Sequence, residues 1–226
     1  AFNRAFADVG VPLHWDAARY GELLAISGGR ERITAALAEL LGEPPPPELV
    51  AELQARKQDH YGALVAAGEL RLRPGVAELI AAAGSAGLSQ VIVTTSGRAA
   101  VAALVEHLLG GLCQHFAFWV CGEDVARKKP DPEAYQLALQ QLGCPTSTAL
   151  VLEDSGNGLV AADSAGLACL VTLSHYGSAE PPQRFARARA VVDQLGLGAA
   201  VVRGPACQGS EITLSYLQAL LENLPS

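Results

Sequence analysis

Short apolar runs alternate with helix-length segments over residues 75–172, and this alternation constrains the possible folds more than any other feature of the chain. The patterns predict helices near 75–86, 98–109, 132–142 and 157–165, and strands at 90–93, 116–120, 149–152 and 168–172. Strands that alternate with helices in this way are typical of βαβ units and a parallel sheet. We therefore predict the α/β class with a Rossmann-like parallel-sheet core. After residue 174 the pattern weakens to one strand at 190–192 and a last helix over 213–223.

A different pattern precedes this region. The first 70 residues show helical periodicity and almost no strand signal, with breaks at Ser27–Gly29 and at the prolines 44–47. Such a pattern predicts a small helical domain with a core of its own. We therefore predict two domains, a helical domain over 1–70 and an α/β core over 71–226.

The composition indicates a globular protein and argues against nucleic acid and membranes as partners. Half of the 226 residues are apolar, which is enough for a sizeable core, but no apolar stretch reaches the roughly 18 to 20 residues of a membrane span. A formal net charge of −7 provides no basic field for nucleic acid or an anionic membrane. Five cysteines without a Cys-x-x-Cys pair indicate reduced thiols. We expect a monomer of the cytoplasm, or of the plastid stroma in a photosynthetic eukaryote, that binds neither nucleic acid nor membranes.

Three successive strand-to-helix junctions carry polar groups of the kind that bind a phosphoryl group. Hydroxyls and amides of Thr94–Ser96 follow the first strand, Lys129 lies in a proline turn after the second, and Glu153–Asp154 follow the third. Each group alone has an ordinary explanation: a capped helix start, solvated lysines, or acids at a helix N-terminus. Because ligands bind at the carboxyl ends of parallel strands, the three groups together predict a phosphoryl-transfer site.

The segment after the third strand allows two interpretations. Adjacent carboxylates repel each other unless a cation lies between them, and hard oxygen ligands suit Mg²⁺, so Glu153–Asp154 predict a metal site. The following Gly156-x-Gly158-x-x-Ala161 also matches the dinucleotide-binding fingerprint. That fingerprint belongs to the first βα turn of its fold, and carboxylates just before it would repel a pyrophosphate. We favour a tight turn with close helix packing, and a nucleotide-binding oxidoreductase stays an alternative for cofactor titration to test.

The helical domain carries its own basic cluster. Gly28–Arg32 place flexible backbone and two guanidinium groups at a predicted helix start, and Lys57 lies on the last helix of the domain. Arginine suits bidentate binding of phosphate, so this cluster is a candidate anion site. The alternative is a set of solvated charges on helix surfaces.

Taken in order, these motifs resemble the haloacid dehalogenase superfamily of phosphotransferases over essentially the whole chain. The helical domain resembles the four-helix cap of the β-phosphoglucomutase-like subgroup, and within it Ser27–Ile33 and Thr94–Ser96 are most similar to the CbbY-type phosphatases of xylulose 1,5-bisphosphate. The family's second, third and fourth motifs are matched by Val91–Thr94, Lys129–Pro130, and Glu153–Ser155 with Gly158.

The resemblance implies a function and a role for each matching residue. It implies a Mg²⁺-dependent phosphatase that acts through an aspartyl-phosphate on a small phosphorylated sugar and removes the 1-phosphate of xylulose 1,5-bisphosphate, an inhibitor of Rubisco. Thr94 would bind the transferring phosphoryl group, and Lys129 would bridge that group and the nucleophile. Asp154, supported by Glu153, would hold the metal. The sugar and its distal phosphate would be held by Gly28, Gly29, Arg30, Glu31, Arg32, Lys57, Thr95, Ser96 and Arg98.

The family's first motif, Asp-x-Asp-Gly-Thr, does not occur in the sequence. In the family it supplies the nucleophile and the general acid/base, and its strand lies at the centre of the sheet. The sequence also contains no methionine and opens inside an amphipathic helical pattern. We expect the first motif to lie upstream of residue 1. We also expect the 226-residue chain alone to be poorly stable and without phosphatase turnover.

Two rival functions stay open. A sugar-phosphate mutase of the β-phosphoglucomutase type would share the fold and the motifs, and an isomerised product instead of free phosphate would distinguish it. A non-catalytic binding protein derived from the fold is favoured by the absent first motif and disfavoured by the presence of the other three.

Overall fold

The computed structural model describes residues 1–222. Its α-helices are α1 (Phe2–Val9), α2 (Ala17–Leu23), α3 (Gly29–Leu41), α4 (Pro47–Ala66), α5 (Val76–Ser85), α6 (Arg98–Leu104), α7 (Glu133–Leu142), α8 (Gly156–Ser164) and α9 (Leu214–Glu222). Its strands are β1 (Gln90–Val93), β2 (Phe116–Val120), β3 (Leu150–Glu153), β4 (Ala168–Thr172), β5 (Ala190–Val192) and β6 (Val201–Arg203). No helix in this part of the chain combines the length and the apolar character that crossing a bilayer requires.

The chain divides into two compact units. One comprises Ala1–Arg71 and Thr95–Gly110, and the other comprises Leu72–Thr94 and, of the described residues, 111–222. Residues 95–110, which the sequence analysis assigned to the α/β core, thus belong to the first unit. They form α6, which continues as a π-helical turn over Val105–Leu109.

The first unit is organised around α4, against which α1, α3 and α6 pack. The predicted breaks between its helices are confirmed. Gly28, with φ of 94°, precedes α3, and α4 begins at Pro47, where a first-turn proline sacrifices no hydrogen bond. The core consists of apolar side chains at helical spacing, and the most deeply buried are Phe6, Ile33, Leu37, Leu53 and Val65.

The second unit contains the strands, which form two separate sheets. β1 pairs in parallel with β2, from Gln90 opposite Phe116 to Val93 opposite Val120. β3, β4 and β5 form a parallel sheet, and β6 pairs with β5 in the antiparallel direction. Alternate residues of these strands enter two hydrophobic cores, one on each face of the four-stranded sheet. The predicted α/β class with a parallel core is confirmed.

The element boundaries agree closely with the sequence patterns, with three differences. β3 ends at Glu153 instead of residue 152, so this acid is the last residue of the strand. β6 was not predicted, because three residues between glycine-rich turns give too short a pattern. The last helix, predicted over 213–223, is α9, and residue 223 lies outside the described residues.

Each of the two sheets in the second unit has two strand edges without a partner among residues 1–222, and the edges of β1 and β3 are two of these four. β1 pairs only with β2, and β3 pairs only with β4. Leu152 of β3 is 40% exposed, which is unusual for an apolar residue in the middle of a buried strand. At these edges the backbone groups of β1 and β3 have no strand to pair with among the described residues.

None of the five cysteines, all within the described residues, forms a disulfide, and their burial differs. Cys113 is exposed, whereas Cys121 and Cys169 are buried. Burial, followed by the nearby charge of Glu153, raises the pKa of the Cys169 thiol far above its usual value. Thiolate is the reactive form of cysteine, so Cys169 is both inaccessible and chemically inert.

We expect a thiol-specific alkylating reagent to modify Cys113 first in the native protein, while Cys121 and Cys169 react only after unfolding. Mass spectrometry of peptides after short exposures measures the three rates. Protein unfolded in urea is the control, since all three thiols should then react alike. Equal rates for Cys169 and Cys113 in the native protein would contradict the packing of β4.

Candidate active site

Lys129 lies at the centre of the polar groups in the second unit. It precedes α7 in the chain and is only 8% exposed. Its Nζ donates to the main-chain oxygen of Val93 at 2.9 Å, to the Tyr135 hydroxyl at 3.1 Å, and to Glu153 Oε1 at 2.5 Å. The three ammonium protons therefore have three acceptors. Val93 is the last residue of β1 and Glu153 is the last residue of β3. Lys129 therefore links the carboxyl ends of two strands that belong to different sheets.

Glu153 is the buried counter-ion of Lys129. It is also 8% exposed, and its Oε1 accepts hydrogen bonds from both Lys129 and the Tyr135 hydroxyl. Its Oε2 lies against the backbone of Gly158, where an added Cβ would come within 1.9 Å of it. Both carboxylate oxygens are thus enclosed by protein. A pair of charges this deeply buried depends on hydrogen bonds such as those at Lys129 Nζ and Glu153 Oε1.

Tyr135, on α7, completes the group. Desolvation, and then the charge of Glu153, raises the pKa of its hydroxyl well above the usual value. The hydroxyl therefore stays protonated and can donate to Glu153 while it accepts from Lys129. The Lys129 ammonium also lies 4.7 Å from the centroid of the Tyr135 ring.

Asp154 differs from its neighbour Glu153 because its side chain is exposed. Even so, the surrounding protein limits hydration of the carboxylate, and this desolvation together with the charge of Glu153 raises its pKa. Lys129 and Arg73 act in the opposite direction. The guanidinium of Arg73 is held at the ends of β4 and β5 by the carbonyl oxygens of Thr172, Leu173 and Asp193, at 2.6 to 3.1 Å.

The start of α8 explains the glycine-rich segment. The amide of Gly158 donates to Ser155 Oγ at 3.2 Å, and the amide of Gly156 donates to Glu180 Oε1 at 3.1 Å. Arg184 in turn binds Glu180 and Asn157. Side chains of the protein therefore occupy the amides that a pyrophosphate would need at this turn. The geometry supports the close-packing interpretation of the glycines over dinucleotide binding.

Thr94 is placed beside the Lys129 group by the backbone. Its amide donates to the carbonyl oxygen of Val120 at 2.9 Å and so extends the pairing of β1 with β2 by one residue. It directly follows Val93, whose carbonyl binds Lys129. The structure thus brings Thr94, Lys129, Glu153 and Asp154 to the carboxyl ends of the strands of one unit. Thr95, Ser96 and Arg98 belong to the first unit, where Arg98 begins α6.

The first unit contains a separate cationic cluster formed by Arg32 and Lys57. The Arg32 guanidinium lies over the rings of Phe2 and Tyr20, at 5.9 and 5.4 Å from their centroids. The Lys57 ammonium lies 5.3 Å from the centroid of Phe2 and 4.8 Å from that of Tyr61. Aromatic faces attract cations, so these rings hold the two charges close together.

This cationic cluster lacks an acidic partner among the described residues. No ion pair to Arg32 or Lys57 occurs there, and the buried Nε of Arg32 has no hydrogen-bond partner. Desolvation, followed by repulsion from Arg32, lowers the pKa of Lys57. Two cations held together without a counter-ion favour the arrival of an anion.

The other predicted residues of the first unit lie around the start of α3. Gly28 precedes the helix, and Gly29 packs against Gln54, whose Oε1 would lie 3.2 Å from an added Cβ. Arg30 is exposed, whereas Arg32 is half-buried. Residues two positions apart on a helix face different directions, so the side chains of Arg30 and Arg32 leave α3 on different sides. Glu31 lies in the first turn of α3, where a negative charge is favourable.

The family model of haloacid dehalogenase-like hydrolases matches residues 1–166, more than half of the chain. The chain belongs to this family. Protein CbbY of Cereibacter sphaeroides is 43% identical to this hydrolase over 177 residues, which cover 78% of the chain and 76% of the relative. The hydrolase also resembles the crystal structure of a mutant CbbY from Rhodobacter sphaeroides in complex with xylulose-(1,5)bisphosphate. That match has a TM-score of 0.77 and 41% identity, over 85% of this chain and 84% of the other.

A structural neighbour of lower sequence identity supports the fold of the hydrolase but not its activity. The β-phosphoglucomutase of Clostridium difficile has a TM-score of 0.73 at 18% identity, over 98% of this chain and 89% of the other. Together the comparisons confirm the family predicted from the sequence, and this haloacid dehalogenase-like hydrolase is a phosphoric monoester hydrolase.

The donor set of the hydrolase can be tested against the Mg²⁺ that the family implies. Residues 1–222 contain no group of three or more histidine, cysteine or acidic side chains suited to hold a metal. Mg²⁺ is commonly bound through only one or two carboxylates, with water and substrate phosphate completing the octahedron. The exposed carboxylate of Asp154 fits this requirement. Glu153 lies beside it, although its Oε1 already binds Lys129 and Tyr135, and its Oε2 lies against the Gly158 backbone.

Sequence reasoning missed two contributions to these sites in the hydrolase. Tyr135 lies six residues after Lys129 in an ordinary helical pattern, and no signal in that pattern marks its hydroxyl as a partner of the acid. The aromatic rings around Arg32 and Lys57 come from α1, α2 and α4, so their meeting depends on tertiary packing. The different directions of Arg30 and Arg32 could have been inferred from helical spacing.

Proposed function

We propose that this hydrolase is a Mg²⁺-dependent sugar-phosphate phosphatase that removes the 1-phosphate of xylulose 1,5-bisphosphate through an aspartyl-phosphate. The observation that carries the proposal is the buried ammonium of Lys129, fixed at the carboxyl ends of β1 and β3 next to Thr94 and Asp154. Phosphoryl transfer requires three kinds of group around the phosphorus: a positive side chain, a hydroxyl, and a carboxylate that can hold a metal.

Each group of the second unit has a distinct task in this proposal. Lys129 stabilises negative charge on the transferring phosphoryl group and on the nucleophile, since its charge is held in a water-poor site. Thr94 offers a hydroxyl and a backbone position at the strand end, where the phosphoryl oxygens would lie. Glu153 holds Lys129 in place as its buried counter-ion.

Asp154, with Glu153 behind it, would hold Mg²⁺. When bound there, the metal would neutralise charge on the phosphate oxygens and orient the phosphoryl group. The exposed position of Asp154 at the end of β3 supports this assignment, because one ligand must be open to an ion that retains water.

The nucleophile in the proposal is an aspartate upstream of residue 1, on a strand that would occupy the open edges of β1 and β3. Its carboxylate oxygen attacks phosphorus, the bond between phosphorus and the sugar oxygen breaks, and a second aspartate protonates the leaving oxygen. Water then attacks the aspartyl-phosphate, giving inorganic phosphate and the free carboxylate. Lys129 supports the placement, since its ammonium lies where β1 and β3 both end.

The cationic cluster of the first unit supports a substrate with two phosphates. Arg32 and Lys57 form a positive pair with no acidic partner in the described residues, which suits a phosphate that is bound and not transferred. The CbbY crystal structure with xylulose-(1,5)bisphosphate gives the same substrate class for a relative at 41% identity. We propose that this cluster holds the distal phosphate, with Gly28–Glu31 and Thr95–Arg98 contributing to sugar binding.

Replacing Arg32 by methionine should raise KM for a sugar bisphosphate about tenfold or more, the range expected for losing a hydrogen bond to a charged group. A small phosphomonoester that carries no second phosphate should show little change in KM. Steady-state kinetics with both substrates measures the difference, using the protein as its source cell makes it.

Arg56→Met is the matched control for this variant. Arg56 also lies in the first unit, next to Lys57 in sequence, but it pairs with Glu52 on the surface of α4. It should leave both KM values unchanged. Equal increases in KM for both substrates with Arg32→Met would count against a role in binding the distal phosphate.

A sugar-phosphate mutase of the same fold is the second candidate, and the fold-level likeness to β-phosphoglucomutase keeps it open. Phosphorus NMR of the reaction mixture separates the possibilities. A phosphatase gives inorganic phosphate from xylulose 1,5-bisphosphate, whereas a mutase converts a sugar 1-phosphate into its isomer without net release. A non-catalytic relative would give neither product, and that result would overturn the proposed function.

A further inference from the structure

The hydroxyl of Tyr135 occupies a position that no role described above explains. It lies between Lys129 and Glu153 in the interior of the second unit, and the side chain is only 5% exposed. It accepts from Lys129 Nζ at 3.1 Å and donates to Glu153 Oε1. A phenylalanine would fill the same space in the core, so packing alone does not require the hydroxyl.

We propose that Tyr135 is a positioning residue of the phosphoryl site, one that fixes the ammonium of Lys129 at the carboxyl ends of β1 and β3. The inference rests on the proposed function, because it concerns the Lys129 ammonium, which would bind the phosphoryl group. Tyr135 does not touch that group itself. It acts through Lys129 and Glu153.

The geometry explains why Lys129 needs a third contact. A lysine side chain has four flexible carbons, and its ammonium is placed only as well as its acceptors place it. Two of the acceptors, Val93 O and Glu153 Oε1, come from strand ends, and the third comes from α7. Contacts from three separate elements restrict the ammonium far more than two contacts do, and a positioned charge is worth more than a mobile one in catalysis.

Tyr135→Phe removes this contact and keeps the ring. Tyr216→Phe is the matched control, because Tyr216 on α9 is 7% exposed and donates its hydroxyl to Pro205 O at 2.8 Å. Both variants lose one buried hydroxyl from the same unit. We expect a lower melting temperature for both variants, with the larger decrease for Tyr135→Phe because it removes a donor from a buried carboxylate. A single cooperative transition shows that each variant folds.

The position of Lys129 can be observed directly, because the chain has only three lysines, Lys57, Lys128 and Lys129. Lysine labelled with ¹⁵N at Nζ should give a protected resonance for Lys129, since its protons are bonded and buried. Lys129→Arg assigns that resonance by its loss. Tyr135→Phe should shift it and accelerate its proton exchange, whereas Tyr216→Phe should leave it unchanged.

Titration with inorganic phosphate in the presence of Mg²⁺ tests the consequence for the site. Tyr135→Phe should weaken phosphate binding by about tenfold, as expected when a charged group loses a fixing hydrogen bond. Tyr216→Phe should bind phosphate as the unmodified chain does. An unchanged Lys129 resonance, or unchanged phosphate affinity, in Tyr135→Phe overturns the inference. If the unmodified protein, as its source cell makes it, binds no phosphate, the proposed function fails, and the Lys129 resonance alone then decides the role of Tyr135.

Discussion

Lys129→Met is expected to lower the free energy of unfolding by about 3–5 kcal/mol, the cost of removing one partner from a buried ion pair. Methionine has a similar length and no charge, so the core stays filled while the Glu153 carboxylate loses its counter-ion. Both residues are 8% exposed, so water cannot replace the missing ammonium. Urea unfolding followed by circular dichroism measures the difference.

Lys128→Met is the control for this prediction. Lys128 precedes Lys129 in the chain but is half-buried instead of enclosed, and we expect its replacement to cost less than about 1 kcal/mol. The double variant Lys129→Met with Glu153→Gln should recover part of the loss, because an uncharged amide tolerates burial better than a lone carboxylate. Equal stabilities of the Lys128 and Lys129 variants would show that the ion pair is not buried as described.

Gly158→Ala is expected to destabilise the protein by about 1–3 kcal/mol, the usual effect of overfilling a packed core. The new Cβ would come within 1.9 Å of Glu153 Oε2 and 2.1 Å of its carboxyl carbon. The carboxylate would have to move, and it cannot do so without disturbing its bonds to Lys129 and Tyr135. Loss of phosphate binding should accompany the loss of stability.

Gly62→Ala is the control, since Gly62 lies inside α4 and an added Cβ there meets nothing within 4 Å. Alanine has a higher helix propensity than glycine, so the free energy of unfolding of this variant should increase by up to about 1 kcal/mol. Both substitutions replace glycine by alanine within a helix. Changes of opposite sign in the free energy of unfolding would therefore isolate the effect of the Glu153 contact. A stabilising Gly158→Ala would contradict the enclosed position of this carboxylate.

Much of the second unit could be predicted from the sequence because its strands are short apolar runs between turn residues. β1, β2, β4 and β5 have the predicted limits. β3 extends to Glu153. A pattern of apolar residues cannot predict this limit, because it assigns a charged residue at the end of a strand to the following loop. The assignment of 95–110 to the first unit depends on the packing of α6 against α4, a contact between distant segments that local periodicity does not encode.

The candidate site was predictable as a set of residues and less so as a geometry. The order of Thr94, Lys129 and Glu153–Asp154 along the chain indicated that they meet at strand ends, and the structure brings them together. The division of labour within the acid pair could not be predicted. Glu153 shares the buried face of β3 with Val151, whereas Asp154 lies just beyond the strand and is exposed. The apolar pattern ends at residue 152, so it assigned both acids to the following loop.

The most direct test of the central claim is the release of inorganic phosphate from xylulose 1,5-bisphosphate by the protein purified from its source cell. Our account predicts one phosphate released per bisphosphate in Mg²⁺, little release when a chelator is added, and much slower release from xylulose 5-phosphate. Absence of phosphate release from the bisphosphate in Mg²⁺, by protein whose folding is verified, would contradict the account.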